Sequence, residues 1–184
     1  MSWIRKILLF VGGLLLLAVI VAYLLPRNIH VERTISIDAP RATVFPLING
    51  YKSFNEWSPW FELDPQAKYT YEGPAEGVGA KMSWVGDPGT LGSGSQTITA
   101  SVDSSRVLTD VDFGQGTAKQ VIALSGDGQK TTVTWGIDLD LGMNPVGRYF
   151  GLMFDGMIGK DFEKGLAKLK KYAESLPKAD APTR

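Results

Sequence analysis

Between positions 145 and 176 the apolar residues Phe150, Phe154, Met157, Ile158, Phe162, Leu166, Leu169, Ala173 and Leu176 recur at steps of three and four. That spacing places them on one stripe of an α-helix. Lys160, Glu163, Lys164, Lys168, Lys170, Lys171 and Glu174 fall off the stripe and read as a solvated face rather than a ladder of ion pairs. A helix this long with one apolar face needs a broad partner. Consecutive strand-like runs before it supply one, and together they imply a curved sheet gripping a helix with space between.

The chain has 184 residues and 44% hydrophobic composition, enough for one well-buried domain and short for two. Lysine plus arginine and aspartate plus glutamate balance at 19 each, so no net field draws nucleic acid, and no nucleic-acid partner is expected. The absence of cysteine excludes disulfides, thiolate metal sites and cysteine nucleophiles.

Arg5 and Lys6 precede an uncharged run, 7–25, that Pro26 and Arg27 close. It is long enough to cross a bilayer as a helix. A cleavable signal peptide has a shorter apolar stretch, roughly 7 to 15 residues, and a small-x-small site. Here Val21-Ala22-Tyr23-Leu24-Leu25 is bulky, so the run is read as an uncleaved single-pass anchor in membrane lipid, with 1–6 as a cytoplasmic tail. Arg27 and Arg33 follow the run, so the positive-inside bias is slight. The short tail tips the expectation toward a domain outside the cytoplasm, on the periplasmic side in a bacterium.

From 27 to 38 the sequence alternates, with Ile29, Val31, Ile35 and Ile37 opposite Glu32, Thr34 and Ser36, as in a first strand. Asp38 is the expected N-cap of a short helix carrying Val44, Phe45, Leu47 and Ile48, which Pro46 should bend or end early. A second short helical piece, 51–55, leads to Trp57-Ser58-Pro59-Trp60. Alternating runs then follow at 67–72, 80–85, 95–102, 107–113, 117–125 and 130–141, separated by turn signals such as Gly86-Asp87-Pro88-Gly89 and Gly126-Asp127-Gly128. Such short connections imply an antiparallel meander. The expected fold is α+β, a curved antiparallel sheet of about seven strands around the long C-terminal helix, with the soluble domain at 27–176 and a disordered tail at 177–184.

That order resembles the helix-grip fold, and the sequence is similar to the polyketide cyclase/dehydrase and lipid-transport group of the START-like, Bet v 1-like (SRPBCC) superfamily. The resemblance rests on Ile37-Asp38-Ala39-Pro40 leading into Val44-Phe45-Pro46-Leu47-Ile48, on Trp57-Ser58-Pro59-Trp60, on Gly77-Val78-Gly79-Ala80 before a strand with Trp84, and on 162–170. It implies a cavity between sheet and helix for apolar or amphipathic small molecules. It implies no shared chemistry, because the superfamily includes carriers, sensors and a few enzymes.

Catalytic groups are sparse. The single histidine, His30, follows the apolar run closely and reads as a surface residue, so neither a Ser-His-Asp set nor a metal-histidine cluster can form. Asp110, Asp112, Asp138 and Asp140 alternate out of phase with their apolar neighbours and fall on the wet face. The glycines of 86–94 lack a phosphate loop's lysine and following helix, and read as a hairpin tip or a flap over a pocket. The aromatic and thioether residues are more informative. Tyr69, Tyr71, Met82, Trp84, Phe113 and Trp135 fall on the concave face, and Met153 and Met157 on the helix opposite, the materials of an adaptable apolar pocket wall. Trp57 and Trp60 read as a structural plug or, alternatively, as the ligand entrance or as rings that dip into lipid headgroups.

Gly151, Gly156, Gly159 and Gly165 each cost about 1 kcal/mol relative to alanine in a helix interior. A looser first half, 147–159, is therefore expected to line or gate the pocket, and a firmer second half, 162–176, to anchor the fold. The function expected is binding of a lipid-like or other hydrophobic small molecule, with no cofactor and no metal. The alternatives are a cyclase or hydrolase using Tyr69, Tyr71 or a buried acid, and a non-catalytic envelope interaction module.

Overall fold

The computed structural model describes residues 2–114 and 116–177. Of the tail expected at 177–184, residues 178–184 lie outside the described residues. The first helix, α1 (Ser2–Leu24), covers the apolar run. It is followed by β1 (Asn28–Ile37), α2 (Arg41–Ile48), α3 (Tyr51–Trp57), β2 (Lys68–Glu72), β3 (Lys81–Val85), β4 (Ser93–Val102), β5 (Arg106–Asp112), β6 (Thr117–Ser125), β7 (Thr131–Asp140) and α4 (Pro145–Ser175). The strands form one seven-stranded sheet in the order β1-β7-β6-β5-β4-β3-β2, every neighbouring pair antiparallel. This is the helix-grip α+β fold, with α4 laid across the concave face.

Alternation explains the faces. Val107, Thr109 and Val111 are buried, whereas Arg106, Asp110 and Asp112 between them are exposed. Across the convex face His30 stands opposite Asp138, Asp138 opposite Lys119, and Lys119 opposite Asp110. Opposite charges thus alternate along that row.

Local signals shift in two places. The cap of α2 is Pro40 rather than Asp38, with no side-chain cap bond. Proline's fixed φ suits the start of a helix without a capping oxygen. For α4, Asn144 caps the first turn by accepting from the Val146 and Gly147 amides, with Pro145 next in line.

The buried face of α4 also differs from the expected stripe in its first half. Arg148, Gly151 and Gly159 are buried there, while Phe150 is 58% and Met157 60% exposed. Glycine is the reason. A methyl at Gly151 would meet Leu141 at 2.7 Å and Ile29 at 3.1 Å, and one at Gly159 would run into the Arg33 guanidinium. Bare backbone lies against β1 here, and the bulky side chains turn outward.

From Phe162 onward the stripe is as expected, with Phe162, Leu166, Leu169 and Ala173 buried. The polar face is not wholly solvated. Glu163 accepts from Arg33 at 2.9 Å and Lys168 pairs with Glu62.

The centre of the body is Trp135, fully buried and stacked on Phe162 at 4.1 Å. Phe54, Trp57 and Trp60 meet it edge-on at 6.0, 5.2 and 5.4 Å. Trp57 is fully buried and donates from Nε1 to the Leu47 carbonyl at 2.9 Å, tying α3 to α2. Gly165 passes directly over this cluster, and a Cβ there would lie 2.8 Å from Trp135 and 2.9 Å from Pro59. Neither ring can swing away. Gly165→Ala is therefore expected to destabilise the domain by about 1–3 kcal/mol, read as a lower denaturation midpoint; an unchanged midpoint would mean that α4 does not sit this close.

Candidate functional site

Between the sheet, α3 and α4 lies a cavity of about 280 Å³. This is close to the lower end of ligand pockets, which run from about 300 to 1,000 Å³. The antiparallel register brings its floor together: Met82 pairs with Gln96, Gln96 with Val111, and Gln120 with Ile137. Tyr69 and Trp84, also paired, form the outer wall. Phe54 and Asn55 of α3 close one end, and Ile158 and Asp161 of α4 cross the top. Trp60, Phe61, Leu63, Leu91 and Phe113 complete the rim.

Of the residues expected from the sequence, Tyr69, Met82, Trp84 and Phe113 line this cavity together. Four others do not. Trp135 sits outside the lining because Phe162 and the indoles of Trp57 and Trp60 enclose it. Tyr71 is 42% exposed, and its hydroxyl accepts from Asn55 Nδ2 at 2.8 Å. It lines a smaller, more polar recess with Tyr51, Lys52 and Pro74 on the far side of Asn55. Met153 and Met157 point outward, 57% and 60% exposed, because the glycine side of α4 faces the sheet. Both expectations for the tryptophan pair have a residue: Trp57 is the plug, and Trp60 is cavity wall, donating to Asp161 at 3.3 Å. The 86–94 segment is also more than a tip, since Thr90 and Leu91 line the cavity and Asp64 accepts from the Asp87 amide at 2.7 Å.

Sequence reasoning passed over Gln96, Gln120 and Asn55, all buried at the cavity. The signal was present: Gln96 is in phase with Ile98, and Gln120 with Ile122, so a polar side chain stands where alternation demands an apolar one. Trp84 lines the cavity with its ring, while its Nε1–H is buried without an acceptor among the described residues. Burial, with Tyr71 and Asp64 nearby, pushes the Tyr69 hydroxyl above its ordinary value. The polar lining is Asn55, Ser58, Thr90, Gln96 and Gln120 with one carboxylate, Asp161, which accepts from Trp60. Among the described residues no cluster of three metal-ligating side chains occurs.

A titratable pair stands on the convex surface. His30 Nδ1 lies 2.7 Å from Asp138 Oδ1, and Nε2 lies 3.6 Å from Glu32. The Asp138 hydrogen bond raises His30 above its ordinary value against the opposing effect of burial. Its contribution to stability is complete below the unfolded value near pH 6.5 and is lost as pH rises through the folded one. The pair is exposed, so the effect on stability is small. Proton NMR should show His30 titrating above the ordinary range and falling back to it in Asp138→Asn; a His30 titration unmoved by that change would remove Asp138 as the cause.

Comparisons with known proteins agree with this geometry. Norcoclaurine synthase from Thalictrum flavum superposes with a TM-score of 0.64 at 8% identity, covering 82% of this chain and 96% of that one. A protein from Thermobifida fusca gives 0.58 at 18% identity, covering 83% and 97%. The Aha1 dimer from Colwellia psychrerythraea gives 0.56 at 14% identity, covering 80% and 97%. At these identities the likeness shows the fold alone. No curated protein sequence matches the chain. A family model does: its match runs over residues 28–174, from the first residue of β1 to the last turn of α4. The chain belongs to the polyketide cyclase / dehydrase and lipid transport family.

Proposed function

We propose that the domain binds a hydrophobic or amphiphilic small molecule in the cavity beneath α4, held at a membrane by α1, with the domain on the extracytoplasmic side. The observation that carries this reading is the lining itself: an apolar wall of Tyr69, Met82, Trp84, Val111, Phe113 and Ile137, with the side-chain amides of Asn55, Gln96 and Gln120 at fixed points. Such a site rewards an apolar body carrying one or two oxygen acceptors. Binding is favoured over turnover because the lining carries a single carboxylate, Asp161, already engaged by the Trp60 indole, and no histidine or lysine beside it to share a proton. The anchor is supported by the 22-residue stretch Trp3–Leu24, which contains an 18-residue window of mean hydropathy 2.9. At 1.5 Å per residue it spans about 33 Å, enough for a hydrocarbon core of about 30 Å.

Titration of the purified protein with the apolar fluorophore N-phenylnaphthylamine tests the cavity. Saturable binding at one site, competed by long-chain amphiphiles, is expected. Linear, unsaturable fluorescence would contradict the reading.

A further inference from the structure

The sheet register shows which end of the domain carries the cavity mouth. Asn28, directly after α1, pairs with Asp140, so β1 begins and β7 ends at the same edge. Following the pairs outward, Thr117 meets Asp112, Asp112 meets Ser95, Ser93 meets Val85, and Val85 meets Lys68. The connections 58–67 and 86–92, together with Phe113 and Gly114, therefore all lie at the end where α1 enters. These segments hold Trp60, Phe61, Leu63, Thr90, Leu91 and Phe113, the cavity rim. The α2–α3 plug and the 103–105 turn lie at the other end.

The same end of α4 is fastened to α1. Tyr149 donates to the Ala18 carbonyl at 2.7 Å, and Tyr23 to the Met143 carbonyl at 3.2 Å. Arg148, 7% exposed, donates to the carbonyls of Tyr23, Leu25 and Gly142 and lies 5.1 Å over the Tyr23 ring. A cation on the last carbonyls of a helix is a favourable cap. It makes α1 a docked element rather than a loose tether.

Depth then follows from the contact. Ala18 lies about 9 Å back along the axis from Leu24. A bilayer that covers the apolar turns of α1 must reach the level of Tyr149. Val146, Phe150, Leu152 and Met153, 57–63% exposed, stand beside it on the first turns of α4. Phe61, Leu63 and Phe113 on the rim are 42%, 47% and 44% exposed. Acidic groups at this end are partnered: Asp64, Asp87 and Asp112 accept from loop amides, Asp140 is paired with Arg27 at 2.6 Å, and Glu62 is paired with Lys168.

We infer that the cavity mouth is seated on the bilayer, with Phe61, Leu63, Phe113 and the first turns of α4 dipping into lipid, so that the ligand is a membrane-dissolved amphiphile that enters without crossing water. This rests on the binding and anchoring proposed above. It gives the outward-facing apolar side chains of α4 an occupant, the lipid surrounding α1.

The chain contains no cysteine, so single cysteines report cleanly. Nitroxide labels are placed in the full chain at Leu63→Cys, Phe113→Cys and Met153→Cys, with Leu15→Cys as the span control and Val102→Cys at the far end of the sheet. In vesicles of phosphatidylethanolamine and phosphatidylglycerol, oxygen collides preferentially with labels in lipid and a water-soluble nickel chelate with labels in water. The rim and Met153 labels are expected to behave like Leu15 and unlike Val102. Rim labels as open to nickel as Val102, with Leu15 still in lipid, would overturn the inference and leave the anchor standing. A Leu15 label open to nickel would overturn both. Rim labels shielded by a second chain, seen as dipolar broadening, would also overturn it. N-phenylnaphthylamine binding reads the cavity independently of all three results.

Discussion

Trp135→Ala is expected to cost about 3–5 kcal/mol of stability, the range for removing a large aromatic side chain from a core. Trp135 is fully buried, stacked on Phe162 and met edge-on by Phe54, Trp57 and Trp60. Removing it leaves α4, α3 and the sheet without their common contact. Chemical denaturation followed by far-UV circular dichroism measures the loss. The structure also separates stability from binding at this position, because Trp135 supports the cavity from behind without lining it. Trp135→Phe should lower the denaturation midpoint while leaving fluorophore affinity unchanged. Parallel loss of both would put Trp135 back in the site.

The second large effect is the reverse case. Val111 is 5% exposed, lies on the cavity floor and is paired with Gln96 and Ala118. In Val111→Phe the added ring has open space to enter, so the change in stability should stay below about 1.5 kcal/mol. Affinity for N-phenylnaphthylamine should fall by at least about tenfold, equivalent to about 1.4 kcal/mol. Binding that survives intact would place the fluorophore elsewhere on the protein, for example on the apolar turns of α4.

These two substitutions mark what was legible in the sequence. Strand alternation is a local property, so the concave face, including Tyr69, Met82, Trp84, Phe113 and Trp135, could be read residue by residue. Which concave residue meets empty space and which meets another side chain depends on where α3 and α4 land. That is set by contacts distant in sequence, such as Trp57 with Trp135 and Gly165 with Pro59. Met153 and Met157 failed for a related reason. A hydrophobic stripe assumes that large residues face inward, but on α4 the close approach to β1 is made by Gly151 and Gly159. Arg33 showed the anomaly in the sequence, a charge in phase with Ile29, Val31, Ile35 and Ile37. In the structure it reaches α4, where Asp155 and Glu163 each bind it at 2.9 Å. Gln96 and Gln120 carried the same kind of out-of-place polarity.

The central claim is that the space beneath α4 holds an amphiphile. The most direct measurement is mass spectrometry of material extracted from the full chain purified from membranes, beside Val111→Phe prepared identically. The account predicts an apolar or amphiphilic species that accompanies the native protein at close to one molecule per chain and is depleted in Val111→Phe. Equal recovery of the same species from both proteins, or none from the native one, would contradict it.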